Sequence, residues 1–173
     1  MKNSSESQVA PVVLFQYDRE WNVLFKKEKD AIQGKIGKYI LSIDHIGSTA
    51  IEGALAKPEI DILIGLENLG AADNCVGLLE KIGYSYFQRF EEFVPERRYF
   101  RRSNGIIPLF HIHMVQRNSA FWKDCMNFRN YLRDNPTVLE EYSNLKKELL
   151  LACGGDRKKY SEAKKDFISS ILL

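Results

Sequence analysis

The sequence predicts an α+β domain: a mixed β-sheet of about five strands with flanking helices and a C-terminal helical region. Three observations carry this. Short β-branched and aromatic runs crowd into residues 39–117, segments with helical spacing of apolar residues lie before and after that block, and no linker or repeat divides the chain. With 173 residues and 45% hydrophobic content, it can bury one sizeable core. The polar first eight residues read as a flexible tail. Residues 9–173 read as a single domain, with its sheet core at 39–117 and a helical tail at 118–173.

The first element is a helix in "YDREWNVLFKKEKDAIQGKIG", where Trp21, Leu24, Phe25 and Ile32 recur at helical spacing and Asp18 can cap the start. "YILSIDHIG" is a short strand ending at Gly47. Thr49 and Glu52 have the spacing of a capping box, so a short helix is expected right after Ser48. "EIDILIGL" is the second strand, and "AADNCVGLLEKIG" is a helix stopped by Gly83. "YSYFQRF", "RRYFRRS" and "LFHIHMVQ" read as an antiparallel meander. Three helices follow in "SAFWKDCMNFRNYLRDN", "PTVLEEYSNLKKELLLACGG" and "DRKKYSEAKKDFISSILL". Asn135 caps the second, ahead of Pro136. Gly154 and Gly155 close it, and Asp156 caps the third.

A net charge of +2 is too mild to argue by itself for DNA or a membrane surface. No apolar run approaches the ~20 residues that span a bilayer, and the N-terminus lacks the apolar stretch of a signal peptide. Cys75, Cys125 and Cys153 are odd in number and widely spaced, which fits free thiols in a reducing cytoplasm.

Four constellations could carry chemistry. In the second strand Glu59, Asp61 and Leu63 share one face and Ile60, Ile62 and Ile64 the other. The two carboxylates could hold one divalent cation; the plainer alternative pairs one with an arginine and leaves the other solvated. His111 and His113, also two apart, could bind zinc, manganese or nickel, meet a phosphate or shuttle protons. They could equally sit hydrogen-bonded on a sheet face. Gly47-Ser48-Thr49 joins a strand to a helix start, where free N–H groups suit an anion, although an ordinary cap explains it as well. It is neither a Walker A loop nor a G-x-G-x-x-G turn. Arg89, Arg97, Arg98, Arg101 and Arg102 are interleaved with aromatics. If Tyr99 and Arg101 share a face, Arg98, Phe100 and Arg102 take the other, and one row could face a polyphosphate or nucleic acid. The charges of 146–165 read as a solvated helical face.

"HIGSTAIEGALAKPEIDILIG" resembles the signature of the GrpB family. The resemblance continues through "HIHMV", "FRNYLRDNP", "EYSNLKKEL" and "YSEAKKDFI", from Tyr17 to about Ile168. Glu59 stands where that signature usually has an apolar residue, and Glu52 where it tends to have proline. The family is placed in the nucleotidyltransferase superfamily, so the resemblance implies a β-polymerase-like core, a Gly47-Ser48 phosphate turn and an acidic metal strand at Glu59 and Asp61. His111 and His113 fall where a third acid is expected. Some members are joined to a dephospho-CoA kinase domain.

The resulting expectation is a metal-dependent nucleotidyl- or phosphoryl-transferase acting on a nucleoside triphosphate. Gly47, Ser48 and Thr49 would seat phosphates, with Lys57 and one of Arg98, Arg101 or Arg102 binding phosphate oxygens. Asp61 and Glu59 would hold magnesium or manganese, with zinc the less favoured ion. His111 and His113 would be further ligands or proton-transfer groups, and the helical tail a wall on the acceptor side. The partners are a small-molecule nucleotide and an unidentified acceptor, with nucleic acid left open and no membrane. The competing expectation is a catalytically reduced regulator that binds a nucleotide or other phosphorylated ligand. A zinc or manganese hydrolase using Asp61, His111 and His113 ranks third.

Overall fold

A computed structural model describes residues 12–103, 109–154 and 156–172. The expected tail at residues 1–8 and the Gly155 half of the Gly-Gly stop lie outside them. Helix α1 (Glu20–Ile36) precedes strand β1 (Ser42–Ile46), a 3-10 turn (Ser48–Ala50) and strand β2 (Glu59–Leu66). Short helices α2 (Leu69–Asp73) and α3 (Val76–Glu80) lead to β3 (Ser85–Tyr86), a 3-10 turn (Gln88–Glu92), β4 (Arg97–Arg102) and β5 (Leu109–Gln116). Helices α4 (Ala120–Asp134), α5 (Pro136–Ala152), α6 (Arg157–Ala163) and α7 (Lys165–Leu172) complete the chain.

The sheet is mixed, as expected, with order β1-β2-β5-β4-β3. β3, β4 and β5 form the anticipated antiparallel meander, and β5 returns parallel to β2. Alternation sorts the two faces. Ile60, Ile62, Ile64, Phe100, Ile112 and Met114 bury one face against Trp21, Ile32, Ile36 and Leu79 of α1 and α3. On the other face Leu63 and Val115 pack beneath Phe121, Trp122 and Met126 of α4.

Several local expectations resolve differently. The Thr49 side chain caps no helix: Thr49 Oγ1 donates to the Glu59 carbonyl at 2.9 Å, and only a 3-10 turn forms after Gly47. Glu52 is exposed, 3.9 Å from Arg19. Asn135 does not cap α5; its Nδ2 donates to the Tyr131 carbonyl at 2.8 Å and closes α4 instead. Ser119 and Asp156 do cap, accepting from Trp122 N and from Lys158 N and Lys159 N, and Asp18 accepts from Glu20 N at 2.9 Å. The segments read as single helices at 71–83 and 156–173 are each broken in two, at Asn74-Cys75 and at Lys164. "YSYFQRF" keeps two residues of strand before turning.

Candidate functional site

The parallel register opposes Asp61 to His111 and Leu63 to His113, and the antiparallel register opposes His111 to Arg101 and His113 to Tyr99. Asp61, His111 and Arg101 therefore form a row across three strands on one face, with Tyr99 and His113 beside them. Gly47 follows β1 at the point where Ile46 opposes Asp61. The polar end of the sheet thus meets the turn.

A cavity of about 440 Å³ opens over this row. Its floor is Gly47, Ser48, Thr49, Lys57, Glu59, Asp61, His111 and His113, with Tyr99 and Arg101 at one side. Its roof comes from the helical tail: Phe128, Tyr142, Lys146, Tyr160, Ser161 and Lys164. The tail does form a wall of the cavity, but the solvated face expected for 146–165 does not hold throughout. Lys146 is 2% exposed and Tyr160 1%, because α5 and α6 fold back over the 48–57 segment. Charge periodicity alone looks the same on a solvated and on a cavity-facing helix, so this was not legible.

Asp61 is the hub. His111 Nδ1 lies 3.2 Å and His113 Nε2 3.4 Å from Asp61 Oδ1. Burial favours the neutral acid, but the two imidazole hydrogen bonds outweigh it and hold the carboxyl far below the usual carboxylate range. Arg97 Nη1 lies 3.3 Å from His113 Nδ1. Arginine only donates, so Nδ1 accepts and the His113 proton sits on Nε2, aimed at Asp61. Burial lowers the pKa of His113 and keeps the ring neutral. His111 donates through Nδ1, which leaves Nε2 as the acceptor; that atom is buried and has no hydrogen-bond partner among the described residues.

Glu59 is not paired with Asp61 on a cation. Lys57 Nζ holds its carboxylate at 2.7 Å and Arg157 Nη1 at 2.6 Å. Burial opposes its ionisation, but Lys57, His111 and Arg157 together outweigh burial and lower its pKa. Among the described residues, no group of three or more His, Cys, Asp or Glu side chains is placed to hold a metal ion. The expected set of Glu59, Asp61, His111 and His113 is therefore no cation cage. Glu59 is neutralised by two cations, and His113 has both ring nitrogens engaged. Asp61 is left as the hard oxygen donor on the cavity floor, the kind of ligand a divalent ion takes.

Of the expected phosphate-binding arginines, only Arg101 lines the cavity, with its Nε donating to Tyr99 OH at 2.8 Å. Arg98 lies on the opposite face with Asp73 and Glu91, and Arg102 pairs there with buried Glu28. Both arginines leave the site, because strand parity puts Arg98 beside Met114 and Arg102 beside Phe110.

The floor is braced from below. His45 stacks on Phe25 at 4.7 Å, with its ring nitrogens 3.2 Å from Asn22 Oδ1 and 3.0 Å from Thr49 Oγ1. Burial, with Arg133 and Arg129 adding to it, lowers its pKa to about 4. Arg129 and Arg133 of α4 donate to the carbonyls of His45 and Ala50 and fix the turn.

No helix among the described residues is long and apolar enough to cross a membrane, and all three cysteines are free.

A family model described as GrpB protein matches residues 11–173. The glutamate-rich protein GrpB of Alkalihalophilus pseudofirmus is 35% identical over 165 residues, covering 93% of this chain and 94% of that protein. The crystal structure of conserved protein GrpB from Enterococcus faecalis superposes with a TM-score of 0.82 at 34% identity, covering 92% of this chain and 94% of that one. A dephospho-CoA kinase of Mycolicibacterium paratuberculosis is 39% identical over 87 residues, which is 47% of this chain and 21% of the kinase.

Proposed function

This chain belongs to the GrpB family, and from that premise we propose that it transfers a nucleotidyl or phosphoryl group from a nucleoside triphosphate to an acceptor hydroxyl. One observation carries the reading: an Asp61–His111 pair, with His111 Nε2 unpartnered, stands beside the Gly47-Ser48 turn in a cation-lined cavity. The backbone of the turn, Lys57 and Arg101 bind the phosphates. Asp61, fully ionised, is a poor base near neutrality. It serves instead to orient His111, as the acid of a catalytic triad orients its imidazole. His111 Nε2 takes the acceptor's proton as the acceptor oxygen bonds to phosphorus. In nucleotidyl transfer the bond to the β-phosphate breaks and pyrophosphate leaves. His113 keeps Asp61 in place, and Arg97 fixes the His113 tautomer. A magnesium or manganese ion would sit on Asp61 and the ligand's phosphates and would neutralise their charge. The partial likeness to a dephospho-CoA kinase supports nucleotide-containing ligands.

The test is calorimetry with a panel of nucleoside triphosphates, with and without magnesium, on wild type, Asp61→Ala and His111→Asn. Turnover is then followed by phosphate or pyrophosphate release. Binding that weakens in Asp61→Ala, with turnover lost in His111→Asn, is expected. Absence of binding to every triphosphate overturns the reading.

A second reading is a regulator that binds the same ligand without transfer. The ion-paired state of Glu59 favours it, since Lys57 and Arg157 already neutralise one of the two acids on the cavity floor. Tight binding with no turnover on any triphosphate selects this reading.

A further inference from the structure

Lys146 and Lys164 line the cavity roof. Lys146 is almost wholly buried. Its Nζ donates to Ser48 Oγ at 3.1 Å and to the Leu55 carbonyl, and it lies 4.3 Å from the centre of the Tyr142 ring. Lys164 sits at the break between α6 and α7, 4.6 Å from the centre of the Tyr160 ring. Among the described residues neither ammonium has a carboxylate within ion-pair distance, whereas Lys57 and Arg157 are both paired with Glu59. A buried ammonium without a counter-ion is costly, and a methionine would fill the same space without that cost. Lys146 is such a group, half-buried Lys164 lines the same cavity, and together beside Ser48 they form a positively charged subsite that lacks its anion.

We propose that Lys146 and Lys164, together with the Ser48 turn, bind the terminal phosphates of a di- or triphosphate directly, so that this end of the ligand is held by protein ammonium groups without a divalent cation. This deepens the function proposed above and rests on it for the identity of the ligand. The charged and titratable groups of the same cavity are Lys57, Glu59, Asp61, Arg101, His111 and His113 on the floor, with Arg157 beside Glu59, and Asp124, Cys125, Tyr142 and Tyr160 from the helices. Burial and then Lys164 lower the pKa of Lys146 to about 7. Burial and then Lys57 lower that of Lys164 to about 8, with Asp61 and Glu59 opposing. An anion bound between them favours their charged forms, so binding takes up protons above neutrality.

The experiment is titration calorimetry of the whole chain with inorganic pyrophosphate in EDTA, at about pH 6.5 and about pH 9. It is run on wild type, Lys164→Met and Lys146→Met, with circular dichroism to confirm the fold. Expected are binding without a divalent cation, a loss of affinity of about tenfold or more at the higher pH, and a similar loss in Lys164→Met. Pyrophosphate itself gains charge as pH rises, so a fall in affinity reports the protein. Lys164→Met carries the test if Lys146→Met fails to fold. Pyrophosphate binding only with magnesium, unchanged in Lys164→Met, or no weaker at high pH overturns the inference. In each case nucleotide binding that depends on Asp61 and magnesium leaves the broader function standing. Metal-free pyrophosphate binding that requires Lys164, with no turnover of any triphosphate, sustains the inference and removes the transferase reading.

Discussion

Gly47 and Asp61 are in such close contact that a Cβ placed on Gly47 would stand 2.5 Å from Asp61 Oδ2. Gly47 also has φ +71°, a conformation that side chains resist. The turn and the hub of the site are thus fitted to each other twice, by backbone conformation and by space. Gly47→Ala is expected to cost about 2 kcal/mol or more in urea unfolding and to weaken nucleoside triphosphate binding, because Asp61 must rotate away from His111 and His113. A variant as stable as wild type that binds as well would show that Asp61 has room to move.

The two faces of β4 give a sharper contrast. Arg101 lines the cavity, and Arg98, three residues earlier, is tied to Asp73 and Glu91 on the far side. Arg101→Gln is expected to weaken nucleoside triphosphate binding about tenfold, the scale of one charge-assisted hydrogen bond. Arg98→Gln should leave it within about twofold of wild type. Calorimetry on the two variants decides this, and equal losses would mean that the face assignment does not govern the ligand.

That contrast also marks how far the sequence alone could reach. Alternation put Glu59 with Asp61 on one face of β2 and His111 with His113 on one face of β5, and both ranges came out as read, because a strand buried on both faces keeps strict parity; that the two faces coincide took the register of β5 on β2. The same parity separated Arg101 from Arg98 and Arg102, but it could not say which set met the site, since that needs the register of β4 on β5. Glu59 was correctly placed on the Asp61 face, yet its role turned on Lys57 and on Arg157, almost a hundred residues away. Lys146 and Lys164 gave no signal at all. Their helical spacing is that of a solvated face, and only the folding of the tail over residues 48–57 buries Lys146 and brings Lys164 to the cavity. The capping box failed for a related reason: the Thr49 hydroxyl found a tertiary partner in the Glu59 carbonyl.

His45 predicts an acid limb to stability. Its pKa is about 4 when folded against an ordinary 6.5. Between those values the unfolded chain binds a proton that the folded protein refuses, so the stabilisation is complete above pH 6.5 and is lost as pH falls toward 4. The loss from this residue is at most about 3 kcal/mol, and His113, also lowered, acts in the same direction. Denaturant midpoints measured across this range should fall with acidification, and less steeply in His45→Gln. An unchanged slope in that variant would assign the acid limb elsewhere.

Lys146 predicts a slope of the same sign at higher pH. Its ordinary value of 10.5 falls to about 7 in the folded protein. Between these limits the unfolded chain holds the proton more tightly, so the ligand-free protein gains stability as pH rises from about 7 toward 10.5. Lys146→Met should flatten that rise between about pH 7 and about pH 9. It loses the hydrogen bonds to Ser48 and Leu55, worth about 1 kcal/mol each, but it also loses a buried charge without a counter-ion. Its absolute stability can therefore move either way, and the slope is the quantity to read. Pyrophosphate should flatten the wild-type slope in the same manner, because an anion beside the ammonium restores its affinity for the proton. A wild-type slope that persists in Lys146→Met and ignores pyrophosphate would mean that this lysine stays charged throughout and is neutralised by the protein itself.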